Sequence, residues 1–119
     1  MITFHANPPI HPGEMLRTEF MEPLGLTSGK VARALGVPRT RIERLVREEA
    51  GLSADTAARL ARYFKMSEGF WMGLQKSYEL DCIHADKALI KRIDAIIPLP
   101  RPDLDAMADK APEGADRAA

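Results

Sequence analysis

The stretch Ser28-Gly-Lys-Val-Ala-Arg-Ala-Leu-Gly-Val-Pro-Arg-Thr-Arg-Ile-Glu-Arg-Leu-Val-Arg47 decides how the rest of the chain is read. Apolar residues recur at Val31, Ala32 and Leu35, then at Ile42, Leu45 and Val46, the spacing of one buried face on each of two short helices. Gly36 stands between them, where glycine takes the left-handed conformation that closes a helix and turns the chain sharply. Thr27 is the expected cap of the first helix, and Pro38 is expected in the first turn of the second, which should run to about Glu48 with its arginines outward. Ala32 is small enough to let the two helices cross closely, with Val37, Ile42 and Leu45 filling the crossing.

That spacing predicts a helix-turn-helix, in which the outward N-terminal residues of the second helix enter the major groove and the start of the first faces the phosphates. The reading helix presents Arg39, Thr40 and Arg44. An arginine can bind guanine O6 and N7 bidentately, and the Thr40 methyl can meet a thymine methyl, so these three are the expected base readers. Thr27, Ser28 and Lys30 lie at the positive end of a helix and Arg41 and Arg47 on its flanks, so these five are expected to hold the DNA backbone. Charge supports this. Lys and Arg balance Asp and Glu at 17 each, yet residues 28–47 hold six basic residues (Lys30, Arg33, Arg39, Arg41, Arg44, Arg47) against Glu43 alone. That local excess of five sits in a remainder of minus five, the footprint of a nucleic-acid reader.

Outward from this motif, turn signals cut the chain into more short helices. Leu16 and Phe20 predict a helix over 13–22, stopped by Pro23. Ser53 caps a fourth carrying Ala57, Leu60, Ala61 and Phe64, and Ser67 a fifth carrying Phe70, Trp71, Leu74 and Tyr78. Residues 86–94 predict a sixth that buries Leu89, Ile90 and Ile93, while 95–99 could equally be a short strand; a helix followed by an extended piece is the favoured reading. The fold class is therefore all-α with five or six helices. Residues 1–12 form an extended segment, 13–97 the DNA-binding and dimerisation unit, and the Pro-, Ala- and Asp-rich residues 98–119 a flexible tail.

Several function classes drop out. A chain of 119 residues with one cysteine has neither a disulfide framework nor a membrane-length apolar run, which points to the cytoplasm. Phe70, Trp71 and Tyr78 at helical spacing read as packing in the core or at a dimer seam. Cys82 and His84 lack a second pair of ligands, so no metal or other cofactor is expected. No glycine-rich phosphate loop, zinc-protease motif or nucleophile elbow is present, so the chain does not read as an enzyme. A helical module whose basic helix binds an acidic protein is the competing reading from another class.

Longer runs carry a resemblance. His11-Pro-Gly-Glu-Met-Leu, Glu19-Phe-Met-Glu-Pro-Leu-Gly-Leu-Thr, Val31-Ala-Arg-Ala-Leu-Gly-Val-Pro, Ala54-Asp-Thr-Ala-Ala-Arg-Leu-Ala-Arg-Tyr-Phe, Phe70-Trp71 and Leu74-Gln75 together resemble the HigA antitoxins of bacterial toxin–antitoxin systems over residues 8 to about 82. The resemblance implies a lambda-repressor or Cro-like fold and a DNA-binding homodimer. That dimer would repress its own operon and neutralise a HigB-like ribonuclease toxin acting on ribosome-associated messenger RNA. A stand-alone regulator without a toxin is the alternative. Lys30 departs from the Glu or Gln common in relatives, which removes the reciprocal capping box. A toxin that binds RNA should be basic, so the acidic residues of the first helix, Glu14, Glu19 and Glu22, are the expected toxin-docking surface.

Overall fold

The computed structural model describes residues 5–100, and these hold six helices and no strand. Helix α1 occupies residues 12–24, α2 Ser28–Leu35, α3 Arg39–Val46, α4 Ala54–Phe64, α5 Glu68–Ala85 and α6 Lys87–Asp94. The fully buried side chains Leu16, Val31, Ile42, Leu60 and Trp71 come one from each of α1 to α5, so the core forms where these five helices meet. Burying each such side chain contributes about 1.5–3 kcal/mol. Phe20, Phe64 and Phe70 ring Trp71 at centroid distances of 4.9, 6.1 and 5.2 Å.

The helix starts follow local chemistry. Thr27, Ser53 and Ser67 each accept a hydrogen bond from the amide three residues on, at 3.2, 3.2 and 2.9 Å, as their positions predict. Asp86 does the same for α6 at 3.1 Å. Gly36 closes α2 with φ +71, while the Val37 amide reaches back to the Ala32 carbonyl at 3.0 Å.

Four expectations are corrected. Pro23 does not stop α1, which passes from an α-turn (Pro12–Met15) through a π-helical segment (Leu16–Met21) into a last α-turn (Glu22–Leu24) and ends at Gly25, φ +62. Glu22 donates to the Arg17 carbonyl five residues back, and the wider turn carries the chain to Pro23 at a position where no amide is needed. Pro38 lies just outside α3, extended at ψ 143, and α3 ends at Val46 because Glu48 turns left-handed at φ +62. Ile93 is 40% exposed, and Leu89 and Ile90 are only half-buried, because α6 packs chiefly on α5 with no second helix across it. Residues 95–99 are not a strand: the Ala95 and Ile96 amides close back onto α6, and no extended partner lies alongside. The expected tail lies outside the described residues beyond position 100.

Candidate nucleic-acid interface

Helix α3 divides its residues by angle. Ile42 and Leu45 point into the core, and Arg39, Thr40, Arg41, Arg44 and Arg47 are exposed. The first turn of α2 lies beside the first turn of α3. A Cβ on Gly29 would stand 3.8 Å from Arg39 Nε, so that guanidinium lies across the start of α2 next to Thr27, Ser28 and Lys30. All eight residues expected to touch DNA thus fall on α2, α3 and their caps. Thr27 caps α2, Ser28 is its half-buried first residue, Lys30 is exposed, and Arg47 stands at the C-cap of α3.

The arginines differ in how they are held. Arg39 Nε donates to Glu43 Oε2 at 2.9 Å within α3, and Arg44 makes only a 3.5 Å contact with the Glu49 carbonyl. Arg41 Nη1 donates to Asp55 Oδ2 at 2.5 Å. Thr40, Arg41 and Arg44 line one groove with Ser53, Asp55, Thr56 and Arg59 from the start of α4. Asp55 also accepts from Arg59 Nε at 3.0 Å, and hydrogen bonds from the two guanidiniums hold its carboxyl below the usual carboxylate range.

Residues outside the motif aim it. Arg59 Nη1 donates to the Leu35 carbonyl at 2.8 Å and Arg17 to the Val46 carbonyl, so each helix of the motif has its last carbonyls bound by an arginine from another helix. Gln75 Oε1 accepts from the Leu52 amide at 2.7 Å and ties the loop after α3 to α5. Gly13 packs so closely on the end of α3 that a Cβ there would stand 1.7 Å from the Leu45 carbonyl oxygen. Sequence reading missed Arg17, Asp55, Arg59 and Gln75. Only the Asp55 and Arg59 spacing of four residues on one helix signalled a pair.

The acidic set lies elsewhere. Glu19 and Glu22 are exposed and Glu14 half-buried, all on α1 and none bound to an arginine of α3. Trp71 is core, Phe70 packs against it, and Tyr78 sits edge-on to His11 at 4.8 Å. His84 does find a distant histidine: His5 stacks on it at 3.7 Å and bonds to Asp81 at 2.9 Å. Among the described residues no cluster of three or more His, Cys, Asp or Glu is placed to hold a metal, and no helix is long and apolar enough to cross a membrane.

Comparison with known proteins adds to this geometry. Residues 19–71 match the helix-turn-helix family model. Virulence-associated protein I of Dichelobacter nodosus is 46% identical over 92 residues, covering 77% of this chain and 82% of that protein. Antitoxin HigA-1 of Vibrio cholerae is 38% identical over 72 residues, covering 60% of this chain and 68% of that one. The Pseudomonas aeruginosa antitoxin HigA, solved with the higBA promoter, superposes with a TM-score of 0.70 at 47% identity, over 76% of this chain and 98% of that one.

Proposed function

Because the chain belongs to the HigA family of helix-turn-helix antitoxins, we propose that it is an antitoxin that binds operator DNA as a homodimer, represses its own operon and neutralises a HigB-like toxin. One observation carries the DNA reading: the outward face of α3 presents Arg39, Thr40 and Arg44 beside the Thr27-capped start of α2. Arg39, Thr40 and Arg44 read base edges, and Thr27, Ser28, Lys30 and Arg47 hold the phosphates, with Arg41, the fifth of that backbone set, paired with Asp55 in the free protein. The Thr27 side chain is already bound to the Lys30 amide, so its contribution is to orient the free amides at the start of α2.

The dimer seam lies on the side of α5 and α6. Leu80 on α5, Ile93 on α6 and Ile96, Ile97 and Leu99 just after it are 40–87% exposed, apolar side chains that a second copy of the chain would cover. Residues 13–97 act as the DNA-binding and dimerisation unit. The protein works in the cytoplasm, with no catalytic step and no cofactor of its own.

Footprinting on the DNA upstream of its gene tests the reading. A two-fold dimer should protect an inverted repeat whose half-sites lie about 34 Å, or a multiple of it, apart. Arg44→Ala should lose about 1–3 kcal/mol at one base position and relax preference there. Lys30→Ala should weaken binding to upstream and unrelated DNA alike and make the salt slope shallower by about one. Protection of a single half-site without symmetry would overturn the dimer, and equal binding to all duplexes would overturn operator reading.

A further inference from the structure

At the groove where α3 meets the start of α4, a negative charge stands among the cations expected to meet DNA. Asp55 sits in the first turn of α4, and its Oδ2 takes hydrogen bonds from Arg41 at 2.5 Å and Arg59 at 3.0 Å. Arg59 is fixed in turn by its bond to the Leu35 carbonyl, so the carboxylate is anchored and Arg41 is the mobile partner. We propose that Asp55 sets the discrimination between operator and unrelated DNA by withholding Arg41 from the phosphate backbone. The proposal rests on the DNA-binding reading above and assigns a specificity role to a residue outside the reading helix.

Asp55 and the DNA phosphates compete for the same guanidinium. Backbone contacts contribute equally to every sequence, so each free cation on the surface strengthens unrelated DNA along with the operator. Arg44 gives up only a long 3.5 Å contact when it turns to DNA. Arg41 must give up a short charge-assisted bond, and a phosphate that replaces the carboxylate is repelled by it. Asp55 and Arg41 are both about half exposed, so the pair is weak enough to open yet sufficient to tie up one phosphate contact. On its operator the dimer is held in register by base contacts. On unrelated DNA no base contact fixes the register, so an Arg41 freed from Asp55 could settle on the nearest phosphate, whereas the operator register leaves it paired; withholding it therefore lowers the unrelated affinity most.

The test uses the full chain and two labelled duplexes of equal length, one from upstream of its own gene and one unrelated, titrated over a range of salt by fluorescence anisotropy. Asp55→Asn should raise affinity for the unrelated duplex about fivefold near 0.15 M salt and steepen its salt slope by about one, the contribution of one released counterion. Affinity for the upstream duplex should rise less, so the ratio falls. Adding Arg41→Ala to that variant should return the unrelated duplex to wild-type behaviour, whereas Arg41→Ala alone should change it little. Asp55→Glu, which keeps the charge, should retain discrimination. An unchanged ratio in Asp55→Asn, or a slope shallower by one in Arg41→Ala alone, would overturn the proposal. Should Asp55→Asn fail to fold, Arg41→Ala alone decides. If the wild-type protein does not distinguish the duplexes, operator reading itself has failed; if it does and the variants match it, only the role of Asp55 has.

Discussion

Ile42 has no exposed surface, while Arg41 and Glu43 on either side of it reach outward to ionic partners, so neighbouring positions on one short helix serve the core and the interface separately. His11 shows how a single ring can fix an entry point. Its Nδ1 accepts from the Gly13 amide at 2.9 Å, and the ring also meets the Ala50 backbone. This arrangement requires the neutral tautomer, because a protonated ring would turn a second donor on the Gly13 amide. Burial is the main cause that lowers the His11 pKa below 6.5, with Glu48 and the Ala50 bond opposing it. The unfolded chain therefore binds more protons than the folded one just below pH 6.5, and stability is full above that value and lost as pH falls beneath it. Thermal melts from pH 7.5 to 5.5 should show this decline, and His11→Asn, which keeps a capping acceptor, should flatten it. Equal slopes in the two proteins would exclude His11 as the source.

The α1 and α3 helices meet at backbone rather than side-chain distance, and Gly13 is what allows it. Gly13→Ala would place a methyl 1.7 Å from the Leu45 carbonyl oxygen, so α1 must lift from α3. Overpacking of this kind costs about 3 kcal/mol. For a domain of this size that lowers the melting temperature by about 10 °C or more, measurable by circular dichroism; a loss under 2 °C would show that the helices separate freely. The same contact marks what sequence could show. Caps at Thr27, Ser53 and Ser67, the turn at Gly36 and the inward faces of α2 to α4 depend on residues within four positions of each other, and all were legible. The π-helical stretch of α1 was not, because the i, i+4 spacing of Leu16 and Phe20 is that of an ordinary α-helix and nothing local marks the wider turn that precedes Pro23. Arg17, Asp55, Arg59 and Gln75 were invisible as interface supports since their partners lie 14 to 29 residues away or on another helix. His5 and His84 met only through the fold.

At the scale of the molecule, charge is separated between elements: the cations gather on α3 and the start of α2, and α1 carries Glu14, Glu19 and Glu22 without a cation of α3 bound to them. The π-helical segment matters here. An i to i+5 repeat brings residues five apart nearer the same side than an α-helix does, so the turn over Leu16–Met21 changes where Glu19 points relative to Glu14. A toxin that holds messenger RNA must present positive charge, and we propose this acidic set as its complement, with none of the three acids bound to an arginine of the reading helix. The two activities should then separate by mutation. Glu14→Lys, Glu19→Lys and Glu22→Lys together should weaken toxin binding at least tenfold, about 1.4 kcal/mol. Affinity for the upstream duplex should stay level or rise slightly, since six added positive charges per subunit in net terms attract DNA at long range. Glu14 also lies in the first turn of α1, where an acid favours the positive end of the helix, so Glu14→Gln in place of Lys controls for a loss of helix stability. Calorimetric titration with the toxin, beside a gel shift with the upstream duplex, decides the matter. Unaltered toxin affinity in a folded triple variant moves the docking surface to the exposed side of α5, around Met72 and Lys76, and joint loss of both activities would show that the two surfaces are one.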